Sequence, residues 1–383
     1  MCDILKHTTM KTGDKTMKKI HRTLSLFTVA AMCAALLCSC GAVSDSSQTD
    51  SSSKAATTTT SDTTADTTTA GEASSTASAT SAPDSSVSDS SSAVTDDTKT
   101  NGITPAMWKV TSPEGNTMVM LGSFHALKDE CYPLPEAVTN AYNNADILAV
   151  ECDITPTSED GEYMKNLMKQ MLYNDNTKLS QHISEEAYSA LQTYLGYWGM
   201  DISALEVYRP WAVSSTLDTL LIQDSGFDSE KGLDNYLLTT AHADGKEIYE
   251  VESVDFQMNL LINFSDDIYD LMFRSYEGET KESQKQALED LYTAWKSGDI
   301  ETFLEEDNEE ELAGYTEEDK KIAEDYNKQM LYDRNKNMAK AAEDLMSQGK
   351  NVFYVVGAAH YAGEGGIIDL LEKDGYTAER VQY

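Results

Sequence analysis

Among 383 residues, 65 are acidic and 29 basic, a net charge of −36 with histidine neutral. That balance excludes a nucleic-acid partner, because phosphate binding needs a basic footprint that is missing here. It suits solubility outside the cell and dictates no particular ligand.

Residues 17–40 read as an export signal. Lys18, Lys19, His21 and Arg22 form a basic start, Leu24 to Leu37 an apolar core, and Leu37-Cys38-Ser39-Cys40 a small-residue cleavage site. The apolar run is too short, and too soon followed by polar sequence, to make a comfortable membrane span. Followed by Gly41, this tetrapeptide resembles a bacterial lipobox. The resemblance implies a lipidated Cys40 as first mature residue and Met17 as the true start; an ordinary cleaved signal peptide is the alternative. From Ser44 to Thr100 more than half the residues are Ser or Thr, with few large apolar side chains. Burial there cannot offset ordering entropy, so residues 41–100 are expected to be a disordered tether. Of the six cysteines, Cys2, Cys33, Cys38 and Cys40 lie in the leader. Cys131 and Cys152 remain, and the burial expected of Cys152 favours two unpaired thiols over one disulfide. No Cys-x-x-Cys pair is present, which excludes a cysteine zinc site.

Residues 101–383 have the size of one large domain. Residues 108–110 and 117–121 read as a hairpin around Ser112-Pro113-Glu114-Gly115-Asn116. The second strand runs into Gly122-Ser123-Phe124-His125, then a loop through Tyr132-Pro133-Leu134-Pro135 and a helix over 136–144. Residues 145–153 form a buried strand, apolar throughout and ending in acid. Residues 161–198 are helical in pattern, another helix runs from Pro210 to Ile222, and Gly232-Leu233-Asp234 opens a third. A strand over 247–251 ends at Glu252. Residues 255–345 are mostly helical and acidic, broken at Gly278 and Gly298, with Arg334-Asn335 inside the last helix. The strand 351–356 then delivers Gly357-Ala358-Ala359-His360, followed by a helical stretch and a strand over 378–382.

The two ends therefore carry the same device: apolar strand, Gly-x-x-His, loop, helix, strand. The expected fold is α/β (α+β). Its central mixed sheet is built from two similar β/α end units, with a large helical insertion, in a single domain after the tether.

Two histidines leaving core strands on glycine turns, with a carboxylate from the next strand, suit zinc, manganese, iron or cobalt. Glu151 and Asp153, two apart in a strand and so expected on one face, are candidate acids. Glu252 is a third. A buried Glu151 needs a partner, and Arg334 could pair with it or bind a substrate carboxylate. Arg209 is either a site cation or a helix-start contact. Each histidine could equally be an ordinary hydrogen-bonded residue.

Leu-Gly-Ser-Phe-His, Tyr-Pro-Leu-Pro, Ala-Asp-Ile-Leu-Ala-Val-Glu-Cys-Asp, Gly232-Leu233-Asp234, Glu252, Gln257, Arg334-Asn335 and the terminal Val-Val-Gly-Ala-Ala-His stand in order over roughly 105–383. This array resembles the TraB/GumN family, which includes the TIKI metalloproteases acting on secreted Wnt proteins. The resemblance implies a metal centre at His125, His360 and Glu151, with Arg334 nearby orienting substrate or stabilising an oxyanion. The expectation is a lipid-anchored extracytoplasmic metal-dependent hydrolase, a peptidase on secreted peptides or proteins. Its rivals are a non-catalytic peptide-binding lipoprotein of the pheromone-sequestering kind and a haem or metal carrier.

Overall fold

A computed structural model describes residues 102–155, 160–304 and 315–383. The leader, Cys40 and the tether lie outside the described residues. Among those described, no helix is long and apolar enough to cross a membrane.

Six strands form one sheet: β1 (Met107–Thr111), β2 (Thr117–Ser123), β3 (Ile147–Val150), β4 (Glu247–Glu250), β5 (Val352–Gly357) and β6 (Thr377–Arg380). Their spatial order is β4-β3-β5-β2-β1-β6. The hairpin β1–β2 is antiparallel, while β4, β3, β5 and β2 run parallel to their neighbours. β6 closes the far edge against β1. The hairpin forms where expected because Gly115 takes φ 91°, which a side chain would resist, and its N–H donates to the Ser112 carbonyl at 2.9 Å. β3 and β5 are buried at every position, as parallel strands covered on both faces must be. Each fully buried side chain such as Phe353 or Val355 contributes about 1.5–3 kcal/mol over leaving it exposed.

Eleven α-helices accompany the sheet among the described residues. The first half holds α1 (Glu136–Asn144), α2 (Asp160–Gln170), α3 (Glu185–Gly196), α4 (Pro210–Asp224) and α5 (Leu233–Asp244). α6 (Val254–Asn263), α7 (Asp266–Arg274), α8 (Lys281–Ser297), α9 (Glu317–Asn327), α10 (Asp333–Met346) and α11 (Ile367–Lys373) follow. The pattern read as helical over 161–198 is interrupted between α2 and α3. There Asp175 Oδ1 accepts from the Thr177 N–H at 3.0 Å and Asn176 takes φ 65°, an Asx-type turn that competes with helix. The strand expected over 145–153 runs only from Ile147 to Val150, which matters for Asp153 below.

Two similar end units are present, and they leave the sheet centre in opposite directions. β2 and β5 lie side by side; from β2 the chain crosses through α1 to β3, and from β5 it crosses through α11 to β6 on the other side. Such a divergence point, at the carboxyl ends of parallel strands, is where α/β sheets open a crevice for ligands. The helical insertion roofs it. Trp295 of α8, fully buried, donates its indole N–H to the Gly122 carbonyl at 2.9 Å and so ties the insertion to β2 at the first motif.

Candidate metal-binding and catalytic site

Four side chains of chemical interest leave the carboxyl ends of four adjacent parallel strands. His125 follows β2, Glu151 follows β3, Glu252 follows β4, and His360 sits on a short 3-10 turn, Ala358–Tyr361, directly after β5. The register sets Ser123 opposite Gly357, so the two Gly-x-x-His motifs are staggered by one residue. Their glycines consequently do different things. A Cβ on Gly122 would come within 2.9 Å of the Ala358 backbone, so Gly122 serves strand packing. A Cβ on Gly357 would lie 3.1 Å from Glu151 Oε1, 3.4 Å from His125 Nε2 and 3.6 Å from the His360 ring. The three candidate ligands thus face one point, and the missing side chain of Gly357 leaves it open. A third glycine is required at Gly232, where a Cβ would stand 2.0 Å from the His125 carbonyl oxygen. The neighbouring Leu233 N–H donates to the Phe124 carbonyl at 3.1 Å, docking the start of α5 on the His125 loop.

That docking delivers Asp234. Its Oδ2 lies 2.8 Å from His125 Nδ1, and its Oδ1 accepts from the Ser123 hydroxyl at 2.8 Å. His360 is held differently: its Nδ1 lies 2.6 Å from the Asn335 amide oxygen, while the Asn335 amide nitrogen donates to the Gly365 carbonyl at 2.9 Å. In both cases Nδ1 donates the hydrogen, the arrangement by which outer groups orient metal-ligating histidines; Nε2 of His360 carries a lone pair, and Nε2 of His125 carries one once that ring loses its second proton. The electrostatics diverge. Burial works against charge on His125, but the Asp234 carboxylate, its hydrogen bond and the Glu151 charge outweigh it and carry the imidazole to about 9. Burial, the Arg334 guanidinium and the His125 charge push His360 down to about 3, so it stays neutral.

Glu151 is 8% exposed, and both of its oxygens accept hydrogen bonds. Its Oε1 accepts from the Gly357 N–H at 2.7 Å and lies 3.8 Å from His360 Nε2; its Oε2 accepts from Gln257 at 2.9 Å and Arg334 at 2.8 Å. Burial raises its pKa, but Arg334, the two imidazoles and the Gly357 N–H overcome that and hold the carboxyl well below the usual range. Behind it, Glu252 accepts from Arg334 Nε at 2.9 Å and from Gln257 at 2.7 Å. Arg334 and Gln257 therefore each bridge two buried carboxylates. Arg334 stands near the start of α10, just past a π-helical turn over Lys328–Tyr332, and donates through its remaining terminal nitrogen to the Met330 carbonyl at 3.2 Å. π turns inside helices are frequent at functional sites.

Several expectations need correction. Asp153 does not share a face with Glu151: strand geometry has ended, and its carboxylate bonds His242 Nε2 at 2.7 Å away from the cavity. Arg209 precedes α4 and reaches the Ile262 carbonyl at 3.5 Å, outside the cavity. Glu252 does not line the cavity; it is the outer counter-charge of Arg334. Arg334 faces the cavity, yet its bonds to Glu151, Glu252 and Met330 make it a holder of Glu151 rather than a free anion clamp. Asp234, Asn335 and Ser123 received no role from sequence. Asp234 at the start of a Gly-capped helix and Asn335 beside Arg334 were visible, but only the fold shows which histidine each one faces. Cys131 and Cys152 are both buried free thiols, as expected.

The cavity has a polar floor of His125, Glu151, Asp234, Gln257, Arg334 and His360. Its walls are apolar, made by Ile222, Leu260, Leu261, Leu288, Leu291, Phe303, Met330 and Leu331. Among the described residues, no group of three or more His, Cys, Asp or Glu side chains stands close enough together to hold a metal ion as placed. In kind the donors suit a divalent cation: His125 Nε2, Glu151 Oε1 and the edge of the His360 ring surround one point, and each is backed by a second group.

A mixed sheet with its polar centre at the β2–β5 seam defines an α/β protein with a cleft at the strand ends. The sequence profile of the TraB/PrgY/gumN family matches residues 106–380, and the chain belongs to that family. It is 27% identical over 157 residues to the uncharacterized protein YbaP of Escherichia coli, covering 41% of this chain and 56% of that one. It is 24% identical over 293 residues to a metalloprotease TIKI homolog of Nematostella vectensis, covering 65% and 61% respectively. To metalloprotease TIKI2 of Danio rerio it is 22% identical over 286 residues, covering 64% and 54%. The chain thus spans between about half and three fifths of these relatives' own lengths. No solved structure gives a significant match.

Proposed function

We propose that this protein is a metal-dependent hydrolase of the metallopeptidase kind. The observation that carries the proposal is the convergence of His125 Nε2, His360 and Glu151 Oε1 around the bare α-carbon of Gly357. The metalloproteases among its relatives agree with it. His125, His360 and Glu151 would hold the cation, its identity open among manganese, cobalt, zinc and iron. When bound, such an ion supplies Lewis-acid polarisation of a carbonyl and an acidified water.

The chain's own groups do the rest. His360, kept neutral and fixed by Asn335, keeps its Nε2 lone pair available. Arg334 and Gln257 keep Glu151 ionised and aimed at the cleft, where its free lone pairs serve as ligand or as proton acceptor. Asp234 holds the Nδ1 proton of His125, which leaves Nε2 to bind metal or pass a proton to a leaving amine. The apolar walls exclude water from the floor and strengthen each charge there.

The deciding experiment is metal content of the purified 101–383 domain, wild type beside the His125→Ala/His360→Ala double variant, followed by peptide hydrolysis with manganese, cobalt and zinc. Near-stoichiometric metal lost in the variant, with metal-dependent cleavage, is the expected result. No metal in either protein after reconstitution would sink the hydrolase and leave a peptide-binding protein; a Soret band would instead mark a haem carrier. Glu151→Gln separates its roles, keeping metal if Glu151 is the base and losing it if it is a ligand. We further propose that the protein is tethered outside the cytoplasmic membrane through lipidated Cys40 and acts on secreted peptides or proteins. Cys40→Ser should shift it from the membrane to the soluble fraction.

A further inference from the structure

We infer that the cavity takes a peptide segment carrying an apolar side chain, and that Asn327 recognises that segment by accepting a backbone N–H. The inference rests on the hydrolase reading only for the reaction, since the binding geometry stands without it.

Two independent observations carry it. First, the cavity is chemically divided. Above the polar floor stand Leu260 of α6, Leu288 and Leu291 of α8, and Phe303 beyond it, with Leu331 of the π turn alongside. A wall of that composition cannot satisfy the hydrogen bonds of a polar side chain, but it rewards burial of a Leu- or Phe-sized one. The chain's large acidic excess further disfavours an acidic peptide.

Second, Asn327, the last residue of α9, lines the same cavity, and its Oδ1 is buried without a hydrogen-bond partner among the described residues. The floor differs: His125, Glu151, Asp234, Gln257, Arg334 and His360 are all bonded to one another or to neighbouring groups. A buried acceptor left empty among apolar side chains is costly, and native proteins normally satisfy it. Asn327 precedes Met330, Leu331 and Arg334 by 3, 4 and 7 positions, spacings that put one helix face on the cavity, and all four residues line it. The end of α9, the π turn and the start of α10 therefore present in sequence a side-chain acceptor for a backbone N–H, an apolar wall and the Glu151 holder. A peptide with an apolar side chain matches all three, because it offers an N–H, a hydrophobic group and a carbonyl within a few ångströms.

The test is equilibrium binding of fluorescein-labelled decapeptides to the folded protein without added metal, read by anisotropy. One peptide carries Leu-Phe at its centre, a second Ser-Ser, and a third the Leu-Phe pair with its amide N-methylated. Replacing Leu-Phe by Ser-Ser is expected to weaken binding at least about tenfold. N-methylation, and separately Asn327→Leu with the unmodified peptide, are each expected to cost about fivefold. Combined, they should cost no more than either alone, because both remove the same bond. Equal affinity for Leu-Phe and Ser-Ser, strictly additive losses, or no binding of any peptide would overturn the inference. Parallel cleavage assays with added metal separate the two readings. Selective binding without cleavage fails the hydrolase alone, and cleavage without selectivity fails this inference alone.

Discussion

The two Gly-x-x-His units use the same four-residue device at neighbouring strand ends, yet their histidines end up in opposite states. His125 is partly exposed and leans on a carboxylate, whereas His360 is buried, neutral and held by an amide. The glycines differ in the same way: Gly122 makes room for backbone, while Gly357 leaves open the space between Glu151, His125 and His360. Repetition in sequence supplied two imidazoles at one seam. What surrounds each imidazole assigns its chemistry.

The largest expected effect comes from the group that stands behind both units. Arg334→Met strands two buried carboxylates, Glu151 and Glu252, and should cost about 3–5 kcal/mol of stability in urea unfolding. A loss near zero would mean that Gln257 alone satisfies them. Next, Gly122→Ala should destabilise by about 1–3 kcal/mol through overpacking against Ala358. Gly357→Ala should leave the urea midpoint nearly unchanged but abolish metal uptake by filling the common point. If both variants lose stability alike, the glycines are equivalent and the contrast fails.

Weaker but more discriminating are the outer partners. Asp234→Asn and Asn335→Leu should each weaken metal affinity about 10–100-fold, measured by competition with a chromogenic chelator. Only Asp234→Asn should also lower the His125 titration point, since only Asp234 supplies charge.

The last contrast is a pair of opposed pH dependences in the metal-free protein. His125, raised from 6.5 to about 9, contributes stability that is fully present below pH 6.5 and lost as pH rises through about 9. His360, lowered from 6.5 to about 3, resists protonation that the unfolded chain accepts, so the fold loses stability as pH falls from 6.5 toward 3. Histidine resonances followed by NMR should show one ring titrating in alkali and one remaining neutral into the acid range. Two rings titrating together near 6.5 would dissolve the distinction.

Much of this was legible because it is local. Hydrophobic runs, the Ser112–Asn116 turn and the Gly-x-x-His repeats place β1, β2, β3 and β5, and Glu151 within an apolar stretch announces a buried carboxylate in need of a partner. Arg334 could be named as a candidate partner for Glu151, but that it holds Glu151 and Glu252 at once could not, because the three residues are brought together only by the folded site.

Sequence alone determined the class of fold, the family and where the two Gly-x-x-His motifs stand, since periodicity and motif are properties of adjacent residues. The tertiary structure decided the rest: that β2 and β5 lie side by side, that β3 ends early and turns Asp153 away, that Asp234 and Asn335 divide the histidines between charge and neutrality, and that Asn327 faces the cavity. These are long-range facts. They depend on strand order, register and the docking of distant helices, and no local pattern encodes which of many chemically similar side chains will arrive.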